Sequence, residues 1–262
     1  MAKREIGGSR AIVTGASSGI GKEIALELGR HGADVVVVAR SADKLEKLAA
    51  AFADLPGRCE VLAGDVTDDG VRHAAVHRAV EVFGGLDILI NNAGIGALGP
   101  FETSTVERLR KIMEVNFFAA AEMIRVALPT LKHGRRPMIV NVASILGHVG
   151  IPQSSEYCAS KFALRSLSQS LRAELYKHGI DVLVVSPGST ETEFFDHAIE
   201  MAAHPPWLES KRTSPAKVAR ETVAAIAAGK REIIPNFRGW LMCLMQRFSP
   251  GLVDLALRRY GK

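Results

Sequence analysis

The sequence predicts an α/β protein built on a doubly wound, parallel, seven-stranded sheet, and three observations predict it. Short apolar, β-branched runs alternate along the chain with amphipathic stretches of helical length. Several of those runs are continuously apolar, as in Val35-Val36-Val37-Val38, which is the pattern of strands covered on both faces. No linker, repeat or composition break divides the 262 residues, and a chain of that length fits one α/β domain.

The elements follow in order. Strand-like runs stand at 10–14, 34–39, 58–62, 87–91, 138–143, 181–186 and 232–234. Amphipathic stretches between them predict helices over 19–31, 43–54, 68–83, 104–132, 155–178 and 215–229. Strand–helix–strand repeats make parallel pairs with right-handed crossovers, hence one sheet with helices on both faces. Ligands of such open sheets sit beyond the carboxyl ends of the strands.

Charge and cysteine content narrow the function classes. The net charge is +5, and residues 230–262 carry seven basic against two acidic side chains. The tail therefore holds the whole excess, and a near-neutral body is a poor nucleic-acid binder. The three cysteines (Cys59, Cys158, Cys243) are odd in number and far apart, which fits neither a disulfide framework nor a zinc site and points to a reducing cytoplasm. The eight histidines lack metal-ligand spacing, so no metal is expected. The N-terminus lacks a signal-peptide core, and no apolar run is long enough to cross a bilayer.

The first strand runs into Thr14-Gly15-Ala16-Ser17-Ser18-Gly19-Ile20-Gly21. Glycines there let the backbone turn tightly against a pyrophosphate, and the next helix begins with free N–H groups and a positive dipole end. Placed between first strand and first helix, this turn reads as a dinucleotide site. The second strand ends Val38-Ala39-Arg40-Ser41, with no acid to take ribose hydroxyls; Arg40 instead suits a 2′-phosphate, so NADP is the expected cofactor. Asp65-Val66 ends the third strand, where Asp65 either contacts the adenine or serves as a structural cap.

Tyr157 and Lys161 stand four apart in a helical stretch and so share a face. An ammonium beside a phenol favours the tyrosinate and is expected to lower its pKa toward the working range. Ser144 closes the fifth strand and can donate to a carbonyl oxygen, and Asn116 falls within the long 104–132 helix. Ser154, Ser155 and Glu156 read as the capped entry of the catalytic helix, and Cys158 as a packed thiol.

These motifs, with Asn91-Asn92-Ala93-Gly94 and the Pro187-Gly188-x-x-x-Thr192 run, resemble the short-chain dehydrogenase/reductase family over residues 8 to 234. The resemblance implies a Rossmann-like fold and a ketone–alcohol oxidoreductase. It implies that Tyr157 exchanges the proton with substrate oxygen, that Ser144 polarises that oxygen, and that Lys161 binds the nicotinamide ribose and tunes Tyr157. By the same resemblance Asn116 holds a water in a proton relay and Thr192 the carboxamide. The Asn92-Ala93-Gly94 turn would shape the cofactor floor, while Asn91 ties strands together. A 3-ketoacyl thioester reductase and a non-catalytic NADP-sensing protein are the alternatives.

Residues 1–234 are thus expected to form the cofactor-binding and catalytic body and 235–262 a helical extension of it. The region 189–214 should form a lid whose Phe194, Phe195, Ile199, Met201 and Trp207 line an apolar substrate pocket. In the tail, Trp240, Leu241, Leu244, Met245 and Phe248 recur at helical spacing, and Ser249-Pro250-Gly251 breaks that helix before a second. Two expectations stand for 236–260: packing over the cleft or a subunit, or a peripheral membrane contact through a cationic, aromatic helix. A homodimer or homotetramer is expected from the family's use of the 104–132 and 155–178 helices, with Ala119, Ala120, Ala121, Ala159 and Ala163 allowing close approach.

Overall fold

The computed structural model describes residues 4–194, 198–199 and 212–258. Its seven strands are β1 (Arg10–Thr14), β2 (Asp34–Ala39), β3 (Cys59–Ala63), β4 (Ile88–Asn91), β5 (Met138–Val142), β6 (Asp181–Val185) and β7 (Glu232–Ile233). All pair in parallel, in the order β3-β2-β1-β4-β5-β6-β7. The order reverses between β1 and β4, which opens a crevice at their carboxyl ends. Consecutive residues on a strand point to opposite faces. Val35 and Val37 therefore join one buried cluster and Val36 and Val38 the other, all four sealed from solvent. That double burial is why the run reads as continuously apolar.

Helices α1 (Gly19–Arg30), α2 (Ala42–Ala50) and α3 (Asp69–Phe83) follow the first three strands. The expected single helix over 104–132 is instead α4 (Val106–Met113), a π-helical turn (Glu114–Phe118) and α5 (Ala119–Leu131). The chain stays helical throughout, but the wider turn inserts one residue, as π-bulges at functional sites do. The catalytic-end helix is α6 (Ser155–Glu174), followed by a short 3-10 turn, Tyr176–His178. Then come α7 (Pro215–Ala227), α8 (Phe237–Phe248) and α9 (Pro250–Leu257).

The tail folds back on the body. Asn236 caps α8, accepting from Gly239 N–H at 2.9 Å and donating to Thr213 Oγ1 at 2.9 Å. Gly239 lies against Ile145: a Cβ there would come within 2.9 Å of the Ile145 Cγ2. Gly239 and Cys243 are the buried residues of α8, so small side chains seat the helix. Among the described residues no helix is long and apolar enough to cross a membrane.

Candidate active site

The crevice is a cleft of ≈ 1040 Å³ running across the carboxyl ends of the strands. Its first wall is the glycine turn. Gly15 and Gly19 hold φ of +65° and +56°, and a Cβ at Gly15 would sit 2.7 Å from the Ala93 Cα. Ser18 is the N-cap of α1 but its side chain makes no capping bond, which leaves the first-turn N–H groups facing the cleft for an anion. Gly21 does not line the cleft; it is buried where a Cβ would meet Asn92 Nδ2 and Gly15 O. Asn92 spends its amide on the same turn, donating to Thr14 O and Gly15 O at 3.0 Å.

At the far end, Arg40 stands exposed after buried Ala39, beside Ser41. Asp65 lines this end with Val66, yet its carboxylate is already engaged by Thr67 N–H and Oγ1, both at 2.9 Å. Burial alone would raise its pKa; those bonds, with Lys111 and Arg40 nearby, outweigh it and hold the carboxyl below its usual range. Asp65 thus makes cap-like contacts at Oδ1 and also lines the cleft, where the adenine reading places it.

The opposite end gathers the reactive groups. Ser144 leaves β5 in an extended conformation, and its Oγ accepts from Leu146 N–H at 3.1 Å, starting a 3-10 turn. That hydroxyl is hydrogen-bonded to the Tyr157 phenol. Lys161, buried one turn further along α6, donates to Val142 O at 3.0 Å, with Nζ 5.7 Å from the Tyr157 ring centroid. Phe194 packs edge-on against Tyr157 at 5.7 Å between centroids.

The electrostatics correct one expectation. Burial raises the Tyr157 phenol well above its ordinary value, and the Ser144 hydrogen bond only partly offsets this. Lys161 does not supply the lowering, because burial pushes its own pKa down to about 8 and its ammonium points to a carbonyl. A desolvated phenol keeps its proton at neutral pH.

Asn116 also departs from expectation. It sits in the π turn, wholly buried, with Oδ1 accepting from Ile95 N–H at 2.8 Å and Nδ2 donating to Ile95 O and Ser160 Oγ at 3.0 Å. Its side chain lies behind the cleft wall, with both amide hydrogens engaged and Oδ1 accepting one bond of the two it can take. It ties the loop after β4, at Ile95, to Ser160 of α6. Asn91 bonds Asn141 at 2.9 Å across β4 and β5, and Asn141 bonds Ser168 of α6 at 2.8 Å.

The cleft has the features a nicotinamide dinucleotide requires. Its glycine cradle has no space for a Cβ, a helix N-terminus opens on it, and the buried Ser189 Oγ on its wall has no partner. Residues 9–203 match the family model described as short chain dehydrogenase. The chain belongs to the short-chain dehydrogenase/reductase family. It is an oxidoreductase of the class acting between CH–OH and C=O.

Relatives of this chain include the mouse dehydrogenase/reductase SDR family member 7B, 32% identical over 250 residues, which cover 92% of this chain and 77% of that one. The ketoacyl reductase HetN of Nostoc sp. is 32% identical over 260 residues, 97% of this chain and 90% of that one. A Burkholderia phymatum family member in complex with NAD superposes with TM-score 0.86 at 24% identity over 95% and 96% of the two chains, which speaks to fold alone. A Burkholderia cenocepacia short chain dehydrogenase in complex with NADP superposes with TM-score 0.78 at 30% identity over 88% and 97%.

The cleft of this oxidoreductase brings together Gly15, Ser17, Ser18, Gly19, Ile20, Arg40, Ser41, Asp65, Val66, Asn92, Ala93, Gly94, Ser144, Tyr157, Lys161, Pro187, Gly188 and Thr192. Ser154 occupies the N-cap of α6 but makes no side-chain capping bond, and Glu156 forms a buried ion pair with Arg108 at 2.6 Å in place of a capping role. Cys158 is buried among packed groups, its thiol raised by burial. Phe194 and Ile199 line the cleft; Phe195, Met201 and Trp207 lie outside the described residues.

Sequence reasoning missed Lys44 and Ser189 on the cleft wall, while Leu241, Met242, Met245, Val253 and Leu257 of the tail line it as the expectation of packing over the cleft has it. Lys44, one helical turn after Arg40, carried a readable signal; it pairs with Glu193 at 2.8 Å. It also missed His148, whose Nε2 lies 3.0 Å from Ser186 Oγ and 3.3 Å from Glu232, itself bonded by Arg165 at 2.9 Å.

Proposed function

We propose that this protein is an NADP(H)-dependent reductase of an apolar ketone. The observation that carries the reading is the layout of one cleft: Ser144, Tyr157 and Lys161 at one end, Arg40 without an acidic neighbour on β2 at the other. The wall beyond the reactive groups is apolar, with Ile145, Leu146, Ile151, Phe194, Leu241 and Met245, which suits a lipid- or steroid-like substrate.

The residues divide the work as follows. NADPH held in the cleft would supply the hydride for the carbonyl carbon. Tyr157 gives its phenolic proton to the carbonyl oxygen as the C=O π pair moves there, completing the alcohol. Burial raises the phenol and so weakens it as an acid, and the Ser144 hydrogen bond acts against that rise. Ser144, its lone pair taken up by Leu146 N–H, keeps its own proton to orient that oxygen. Lys161 holds a ribose hydroxyl, and Thr192 with Pro187-Gly188 the nicotinamide end. Asn116 is assigned a positioning role through Ile95.

A ketoacyl thioester substrate is the second reading, favoured by the likeness to a ketoacyl reductase. A screen following NADPH absorbance over steroids, long-chain ketones and ketoacyl thioesters tests both. Turnover of ketones above thioesters supports the first, and NADPH binding without turnover of any of them refutes a catalytic role.

The assembly proposed is a homodimer or homotetramer through α5 and α6. Ala119 and Ala120 face inward and are buried, so the pairing face is carried instead by Phe118 and Phe162, 47% and 41% exposed, with Ala159. Phe162→Glu should shift the sedimenting species to monomer; a wild type that is already monomeric at micromolar concentration contradicts the assembly. The setting proposed is the cytoplasm, with the body 1–234 carrying the chemistry and the C-terminal extension in peripheral contact with a membrane.

A further inference from the structure

Seven of the fourteen exposed large apolar side chains among the described residues lie between 237 and 255. They form one surface rather than a scatter. At about 100° per residue, Phe237, Trp240, Leu241, Leu244, Met245 and Phe248 span an arc of about 140° on α8. The first three and the last two of these are exposed, and Leu244 is half-buried. The residues that touch the body, Gly239 and Cys243, lie on the opposite side of the helix. So Phe237, Trp240 and Phe248 of the α8 stripe point away from the protein, Leu241 and Met245 stand where the stripe meets the cleft, and the helix is held by its small residues. α9 adds Leu252 and Leu255, 62% and 61% exposed, while Val253 turns inward.

The charges are arranged around that stripe. On the same wheel Arg238 and Arg247 fall just outside the two edges of the apolar arc, and both are exposed. Arg247 lies over the Phe248 ring at 5.9 Å, and Phe237 stacks on Trp240 at 5.7 Å. Arg258 is exposed at the end of α9, and Asp254 is the sole acid of the two helices. An apolar centre with a cationic rim and a Trp–Phe pair is the composition of a helix lying in the headgroup layer of an anionic bilayer. A second copy of this chain fits less well, since a two-fold contact would set the same cationic rims against each other.

The position of the surface gives it a purpose. Leu241 and Met245 are exposed on this face and also line the substrate end of the cleft, as do Val253 and Leu257 behind them. We infer that the outward faces of α8 and α9 dock on an anionic lipid bilayer and that the apolar mouth of the cleft opens onto it, so that a membrane-dissolved ketone enters directly. This rests on the reading of the cleft as a site for an apolar ketone.

The test uses full-length protein, vesicles of phosphatidylcholine with and without phosphatidylserine, and the Phe237→Ser/Trp240→Ser/Phe248→Ser variant, whose three positions do not line the cleft. Wild type should co-sediment with the phosphatidylserine vesicles at low salt, and the variant should partition at least tenfold less. The variant should keep wild-type turnover of a water-soluble ketone but lose turnover of a long-chain ketone carried in vesicles. Wild type left in the supernatant at low salt overturns the docking surface, and so does a variant that falls from dimer to monomer in sedimentation. The two readings separate: ketone turnover without vesicle binding sinks only the docking, and vesicle binding without turnover of any ketone sinks only the reductase reading.

Discussion

Lys161 directs its ammonium to the carbonyl oxygen of Val142, 3.0 Å away, rather than to the phenol of Tyr157 one helical turn before it. The lysine thus fastens α6 to the end of β5, the strand that delivers Ser144, and leaves Tyr157 to be set by burial and by Ser144. The consequence is a site with a firmly protonated phenol and a lysine that gives up its proton early.

The lysine sets a pH dependence of cofactor binding. Burial pulls Lys161 down to about 8, so below that pH the free enzyme carries an ammonium and above it a neutral amine. NADPH affinity, read by nucleotide fluorescence, should be flat from about pH 6 to 7 and weaken as pH rises through about 8. Lys161→Met should bind more weakly and without that step. A wild-type affinity constant to about pH 10 would contradict the assignment.

Arg40 is proposed to set the choice of cofactor. It is exposed and free of an acidic neighbour on its strand, so a 2′-phosphate gains a charge-assisted pairing that NADH lacks. Arg40→Ala should raise the dissociation constant for NADPH by roughly tenfold or more, about 1.5–3 kcal/mol, and leave that for NADH nearly unchanged. Equal binding of the two cofactors by wild type would refute the preference. Lys44, released from Glu193, is a second cation at this end, and its loss should act in the same direction with a smaller effect.

Glu232 should make a pH-dependent contribution to stability. Burial would raise its carboxyl, but hydrogen bonds from His148 and Arg165 outweigh that and pull it from 4.5 to about 2. A depressed carboxyl stabilises the fold above its unfolded pKa and ceases to as pH falls through the folded value. With the side chain about a third exposed, solvent screening limits the effect to about 1 kcal/mol. Urea unfolding of Glu232→Gln against wild type should show that gap at pH 7 and its loss toward about pH 2. A gap that persists unchanged in acid would contradict it.

Much of this was legible in the residues because the signals are local. Doubly buried strands announce themselves as continuous apolar runs, and β1, β2 and the paired Tyr157 and Lys161 fall where spacing alone puts them. The break in 104–132 was not legible, because an extra residue in a helical turn leaves the apolar pattern almost in phase; it places Asn116 inside the π turn, bonded to Ile95. The stripe of α8 could be read from the sequence, but not the direction it faces. That depends on the fit of Gly239 against Ile145, a contact made across 93 intervening positions. The Lys161 and Tyr157 shifts escape sequence reading for the same reason, since burial belongs to the packed fold.

The central claim is that Tyr157 is the proton donor of a ketone reductase, and substitution to phenylalanine tests it most directly. Phe preserves the ring and its edge contact with Phe194 but removes the proton and the bond to Ser144. Measured by NADPH absorbance at saturating cofactor, on the ketone that wild type turns over best, Tyr157→Phe should fall at least about a hundredfold in kcat. Its dissociation constant for NADPH, read separately by fluorescence, should stay within about twofold. Turnover by Tyr157→Phe within tenfold of wild type would contradict the account.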